Sequence, residues 1–133
     1  MGGQAGHFIR YARVRCEYSI ERYSKEALRL LNVLERRLSE APYLAGDEYS
    51  IADIACWAVW TYVPAGLLGE IDLSVFPNSQ RWHSEIAKRP AVARGVSEEL
   101  SLPPKYRQLK ASLSDEEWSN LYGDNLHGAV KAR

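Results

Sequence analysis

Sulfur is scarce in this chain of 133 residues: Cys16, Cys56 and Met1 are its only sulfur-bearing residues. Two cysteines without CxxC spacing, and with no histidine beside either, offer no zinc pattern and no disulfide framework. Two reduced thiols are expected, as in a cytoplasmic protein. An excess of charge is also lacking, since Lys plus Arg and Asp plus Glu number 17 each. That removes any global field toward nucleic acid or an anionic membrane, while leaving room for a local basic patch. The longest apolar run, Ile51 to Leu68, is interrupted by Asp53, Thr61, Pro64 and Gly66, too often for a bilayer span. The opening "MGGQAGHFIR" has neither the basic region nor the apolar region of a secretory signal. No alternating strand pattern, internal repeat or low-complexity tract occurs.

What is present reads as helix. The apolar fraction of 46% and charged fraction of 26% are those of an ordinary globular domain. "GQAGHFIRYA" sets Ala5, Phe8, Ile9 and Ala12 on one stripe but starts without a cap. From Ile20, apolar residues recur at Tyr23, Ala27, Leu30, Leu31, Leu34 and Leu38, the period of an amphipathic helix over about residues 17 to 40. The opposite face carries Arg22, Lys25, Glu26, Arg29, Glu35, Arg36 and Arg37 and is expected to meet solvent.

Pro42 and Gly46 then make a loop. In "YSIADIACWAVW", Ser50 is a good N-cap and Asp53 can return the hydrogen bond as a capping box. Tyr49 and Ile54 are spaced for a hydrophobic staple. The helix that follows is apolar all round, which predicts a rod buried on every side, ended by Pro64 and Gly66. Val75, Phe76, Trp82 and Ile86 mark another helix ending near Arg89, and Pro90 opens a short one. Pro103 and Pro104 mark a linker. In "LSDEEWSNLYG", Ser114 and Glu117 repeat the capping box, Leu113 and Trp118 are placed as a staple, and Gly123 is the stop. The expected class is all-α, with about six helices.

No catalytic constellation emerges. His7, His83 and His127 fit no metal-ligand spacing, so no metal site is expected. Asp53 is accounted for by its capping role. Cys56, among Ala, Trp and Val, is expected to be buried and inert, whereas Cys16 is less constrained. Arg22, between Ile20 and Tyr23, is open to two readings: a solvated arginine, or a bidentate clamp for a carboxylate.

Three stretches together, "GQAGHF", "IERYSKEALRLLNVLERRL" and "YLAGDEYSIADIACW", resemble the all-helical C-terminal domain of cytosolic glutathione transferases. They are more closely similar to the nu class and the bacterial glutathione-dependent disulfide-bond reductases, a group near the fungal nitrogen-catabolite regulator. The match covers about residues 1–100, with 101–133 left as a linker and C-terminal helical extension. The resemblance implies a helical bundle around a buried central helix. In that family a separate N-terminal thioredoxin-like domain holds most of the glutathione and supplies the catalytic hydroxyl or cysteine. This sequence contains none of it, so no catalytic residue is expected here.

Met1 matches an internal methionine of the family's first C-domain helix, which implies a truncated first helix. With the partner domain missing, Phe8 and Ile9 are expected to lie uncovered. The resemblance further implies that Arg22 contacts glutathione and that Phe8 and Tyr11 belong to the co-substrate wall. Glutathione would be a substrate and not a cofactor. The other partners would be an apolar electrophile or a disulfide, and a second copy in a homodimer. A non-catalytic scaffold module or an inactive fragment would share the same sequence features.

Overall fold

The computed structural model describes residues 2–61, 63, 71–97 and 113–126. Six α-helices lie whole among the described residues, a further helical stretch begins at 124–126, and no strand occurs among them; an isolated bridge pairs Tyr43 with Gly46. In chain order they are α1 (Gly2–Gly6), α2 (Glu17–Glu40), α3 (Ile51–Trp60), α4 (Pro77–Ala87), α5 (Pro90–Gly95) and α6 (Asp115–Tyr122). A π-helical segment, His7–Tyr11, extends α1, and a 3-10 turn, Leu73–Val75, precedes α4. The chain divides into two compact units, Met1–Val96 and Ser97–Arg133. Met1, Pro64, Gly66, Leu68, the Pro103–Pro104 stretch and His127, named above, lie outside the described residues.

In the first unit, α2 buries Ala27, Leu31 and Leu38, one stripe of its amphipathic surface. Trp57 and Trp60 from α3, and Trp82 and Ile86 from α4, complete the core with Phe76, Val63 and Ala5. Covering each large apolar side chain of this kind gives about 1.5–3 kcal/mol. Trp82, Phe76 and Ile86 are all but fully enclosed, so α4 is the element most tightly held.

Polar side chains fix how the helices meet. Asp53 is fully buried. Its Oδ2 accepts the Ser50 backbone N–H at 2.9 Å, and Ser50 Oγ accepts the Ala52 N–H at 3.2 Å, so the start of α3 is capped from both directions. Its Oδ1 accepts the Leu44 N–H at 3.0 Å and the Trp82 indole N–H at 2.8 Å. One carboxylate thus ties the 41–50 loop, α3 and α4 together. Burial pushes this carboxyl up, but the hydrogen bonds from Leu44, Trp82 and Ser50 outweigh it and hold it below the usual range.

Glu35 does similar work from α2. The N-cap of α4, Phe76, offers no side-chain acceptor. Glu35 supplies it: Oε1 accepts the Asn78 N–H at 2.9 Å and Oε2 the Ser79 N–H at 2.8 Å, while the Asn78 amide and Ser79 hydroxyl donate to the same two oxygens. A carboxylate at a helix N-terminus satisfies free N–H groups and favours the dipole. Glu35 is therefore no part of a solvated face. Arg37, on that same expected face, is half-buried and donates its Nε to the Leu44 carbonyl at 2.9 Å.

The expectation that α3 is covered all round holds for one face only. Asp53, Trp57 and Trp60 are buried, but Ile51 is 81% exposed, Ile54 56% and Val59 48%. Tyr49 directs its ring to Tyr43, edge to face at 5.9 Å, and takes the Arg89 guanidinium over its ring at 3.8 Å. Ile54, the other member of the expected staple, is among the exposed residues.

In the second unit, α6 carries a capping box: Ser114 Oγ accepts the Glu117 N–H and Glu117 accepts the Ser114 N–H at 2.8 Å. Gly123 follows at φ −114°, outside the left-handed region. Glycine is required there by space, because a Cβ would stand 2.9 Å from Ser119 Cα.

Candidate functional site

The outer face of α2 carries the candidate ligand residue. Arg22 is 53% exposed and its Nη1 stands 3.6 Å from Glu26 Oε2. Glu26 itself is largely covered, at 16% exposure. Arg29 grips it from the other side, Nη2 to Oε1 at 2.7 Å and Nε to Oε2 at 3.1 Å. The Arg29 hydrogen bonds, aided by the charges of Arg29 and Arg22, hold the Glu26 carboxyl below its ordinary value. The three residues form one strip at i, i+4 and i+7 on the helix.

Beside this strip, Tyr23 turns the other way and stacks on Phe8, ring centres 5.4 Å apart and planes within 8°. The π-helical segment that carries Phe8 thus lies along α2 near the Arg22 turn. Ile9 packs on the core. These two residues are not left bare, contrary to the expectation for a domain without its partner. Tyr11 sits at the end of the same segment, half-buried.

The uncovered apolar surface lies elsewhere. A groove of about 400 Å³ runs between α2 and α3, lined by Leu30, Val33, Leu34, Ala55, Cys56 and Val59 among others. Leu30, expected in the core stripe, is 39% exposed there and Val33 54%. Cys56 is exposed on this groove rather than buried. Partial loss of water, then the charge of Asp53, pushes its thiol up, away from a reactive thiolate. Cys16, at the N-cap of α2, is the opposite case. A hydrogen-bonding contact with Ser19 Oγ at 3.1 Å, with the Ser19 N–H, draws its thiol down.

Among the described residues no three His, Cys, Asp or Glu side chains group as a metal site, and no helix is long and apolar enough to cross a membrane. His83 is stacked on Trp57 at 4.9 Å, and its Nε2 is buried without a hydrogen-bond partner among the described residues. Burial draws its pKa down. The roles of Glu35 and His83 left no sequence signal, because each depends on residues tens of positions away. The i, i+4, i+7 spacing of Arg22, Glu26 and Arg29 stood in the sequence, but not which of the two arginines takes the Glu26 oxygens.

Residues 11–90 match the family described as "Glutathione S-transferase, C-terminal domain". The disulfide-bond oxidoreductase YghU of Escherichia coli is 43% identical over 99 residues, 71% of this chain and 34% of that protein. The disulfide-bond oxidoreductase YfcG of the same organism is 41% identical over 116 residues, 87% of this chain and 47% of that protein. Among solved structures, the glutathione transferase URE2P6 of Phanerochaete chrysosporium, in complex with oxidized glutathione, superposes with a TM-score of 0.65 at 32% identity. That match covers 70% of this chain and 43% of the other. The glutathione transferase YghU of Streptococcus pneumoniae, complexed with glutathione, gives a TM-score of 0.59 at 38% identity, over 73% of this chain and 39% of the other. The chain therefore spans less than half the length of these relatives. On the helices, the capped α3 and this match over residues 11–90, the chain belongs to the glutathione S-transferase family and carries its C-terminal helical domain.

Proposed function

We propose that this chain is the helical half of a cytoplasmic, homodimeric glutathione-dependent enzyme that conjugates glutathione to an apolar electrophile or uses it to reduce a disulfide. The observation that carries the reading is the identity of 41–43% to two disulfide-bond oxidoreductases. Neighbours of the same fold that were solved with glutathione or its oxidized form add support. In this reading the thiolate is activated in a thioredoxin-like domain. The present chain contributes the Arg22 guanidinium, which donates to a glutathione carboxylate, and a co-substrate wall that includes Phe8 and Tyr11. An exposed guanidinium only loosely paired, 3.6 Å from its carboxylate neighbour, is suited to take a ligand carboxylate.

A second reading, a non-catalytic interaction module, draws on the open apolar groove between α2 and α3. The two part on one experiment. The chain is joined behind the thioredoxin-like half of YfcG, and glutathione binding and disulfide turnover are measured. Binding and turnover are expected, with Arg22→Ala weakening glutathione by about 1.5–3 kcal/mol, the scale of a hydrogen bond to a charged group. The 133-residue chain alone is expected to be inactive, since a single guanidinium can satisfy one carboxylate but cannot activate a thiol. A folded two-domain protein that neither binds nor turns over glutathione would leave the interaction module standing.

A further inference from the structure

We propose that Arg29 is a positioning residue that keeps Arg22 available to an incoming carboxylate by occupying Glu26; this rests on the reading of Arg22 given above. Glu26 has two oxygens, and Arg29 takes both, at 2.7 and 3.1 Å. That fork is the strong, directional form of an arginine–carboxylate pair. Arg22 is left at 3.6 Å, past hydrogen-bond length, as the weaker of the two arginine partners of Glu26. Glu26 is at 16% exposure with both arginines against it, so they take up much of its charge in place of water. Two cations and one anion leave the strip one positive charge in excess, suited to a single carboxylate.

Removing Arg29 changes both features at once. Glu26 loses its fork and, of its ion-pair partners among the described residues, keeps Arg22, at the i,i+4 spacing that helices favour. Arg22 then closes onto Glu26, its N–H groups are consumed, and the strip falls to zero net charge. Arg29 thus acts on the ligand without touching it.

The test has two arms. In the 133-residue chain, rotation of the Arg22 guanidinium is followed by 15N NMR. It is expected to be fast in the wild type and slowed in Arg29→Ala. A wild-type Arg22 already as slow as in the variant overturns the proposal. In the two-domain protein, reduced glutathione is titrated calorimetrically. Arg22→Ala and Arg29→Ala are each expected to weaken binding, the second by roughly tenfold. Adding Glu26→Gln to Arg29→Ala should restore wild-type affinity, while adding it to Arg22→Ala should not.

Each alternative predicts a different pattern. A diffuse positive field predicts rescue in both double variants, since both carry the same net charge. A merely structural fork predicts rescue in neither. Loss of binding in Arg22→Ala with an unaffected Arg29→Ala overturns this proposal and leaves the role of Arg22 intact. An unaffected Arg22→Ala overturns both.

Discussion

Asp53 shows how much one side chain can hold. As a cap alone its loss would match that of Ser50, about 0.5–2 kcal/mol. It also accepts from Leu44 and from the Trp82 indole, inside the protein. Its removal strands those donors, so Asp53→Ala is expected to cost about 3–5 kcal/mol, the scale of a broken buried network. Urea unfolding of both variants checks this, and equal losses would reduce Asp53 to its cap. The titrating groups give a second expectation at this scale. Asp53 and Glu35 have depressed values in the fold, so the stability they bring is present above about pH 4 and lost as pH falls through the folded values. His83, depressed by burial, contributes fully above about pH 6.5 and loses its contribution as pH falls toward its folded value. Unfolding free energy should therefore drop in two stages on acidification. His83→Phe keeps a ring against Trp57 and is expected to abolish the upper stage only; an unchanged upper stage would assign it to another group.

At the scale of elements, legibility followed locality. The ends of α2 and the starts of α3 and α6 stood in the sequence, because period and capping residues lie within a few positions of each other. Glu35 read as solvent-facing because the helix it caps, α4, lies more than forty residues further on. Apolar composition around α3 said that its whole surface avoids water, but not which neighbour covers each face. Only the face bearing Trp57 and Trp60 found cover within the described residues. The candidate site was legible in part: resemblance picked out Arg22, while its coupling through Glu26 to Arg29 needed distances.

The open face of α3 then becomes a property of the whole molecule. Val59 on α3 faces the groove with Leu30 and Val33 across it, all three exposed, and Ile51 and Ile54 are exposed elsewhere on the same helix. An exposed apolar groove of this kind usually marks an interface or a tendency to associate. The relatives are more than twice as long as the segment they share with this chain, so other parts of such proteins are available to cover it. When the chain is on its own, another copy is the expected substitute cover. Light scattering of the purified chain should show association that grows with concentration. Val59→Asp, at an exposed position of the groove, should suppress it while circular dichroism keeps the same helicity. The charge would have to be desolvated at any contact through this groove, at a cost of several kcal/mol. Association that survives Val59→Asp undiminished would place the contact on another surface, and the groove would lose its claim to be what drives it.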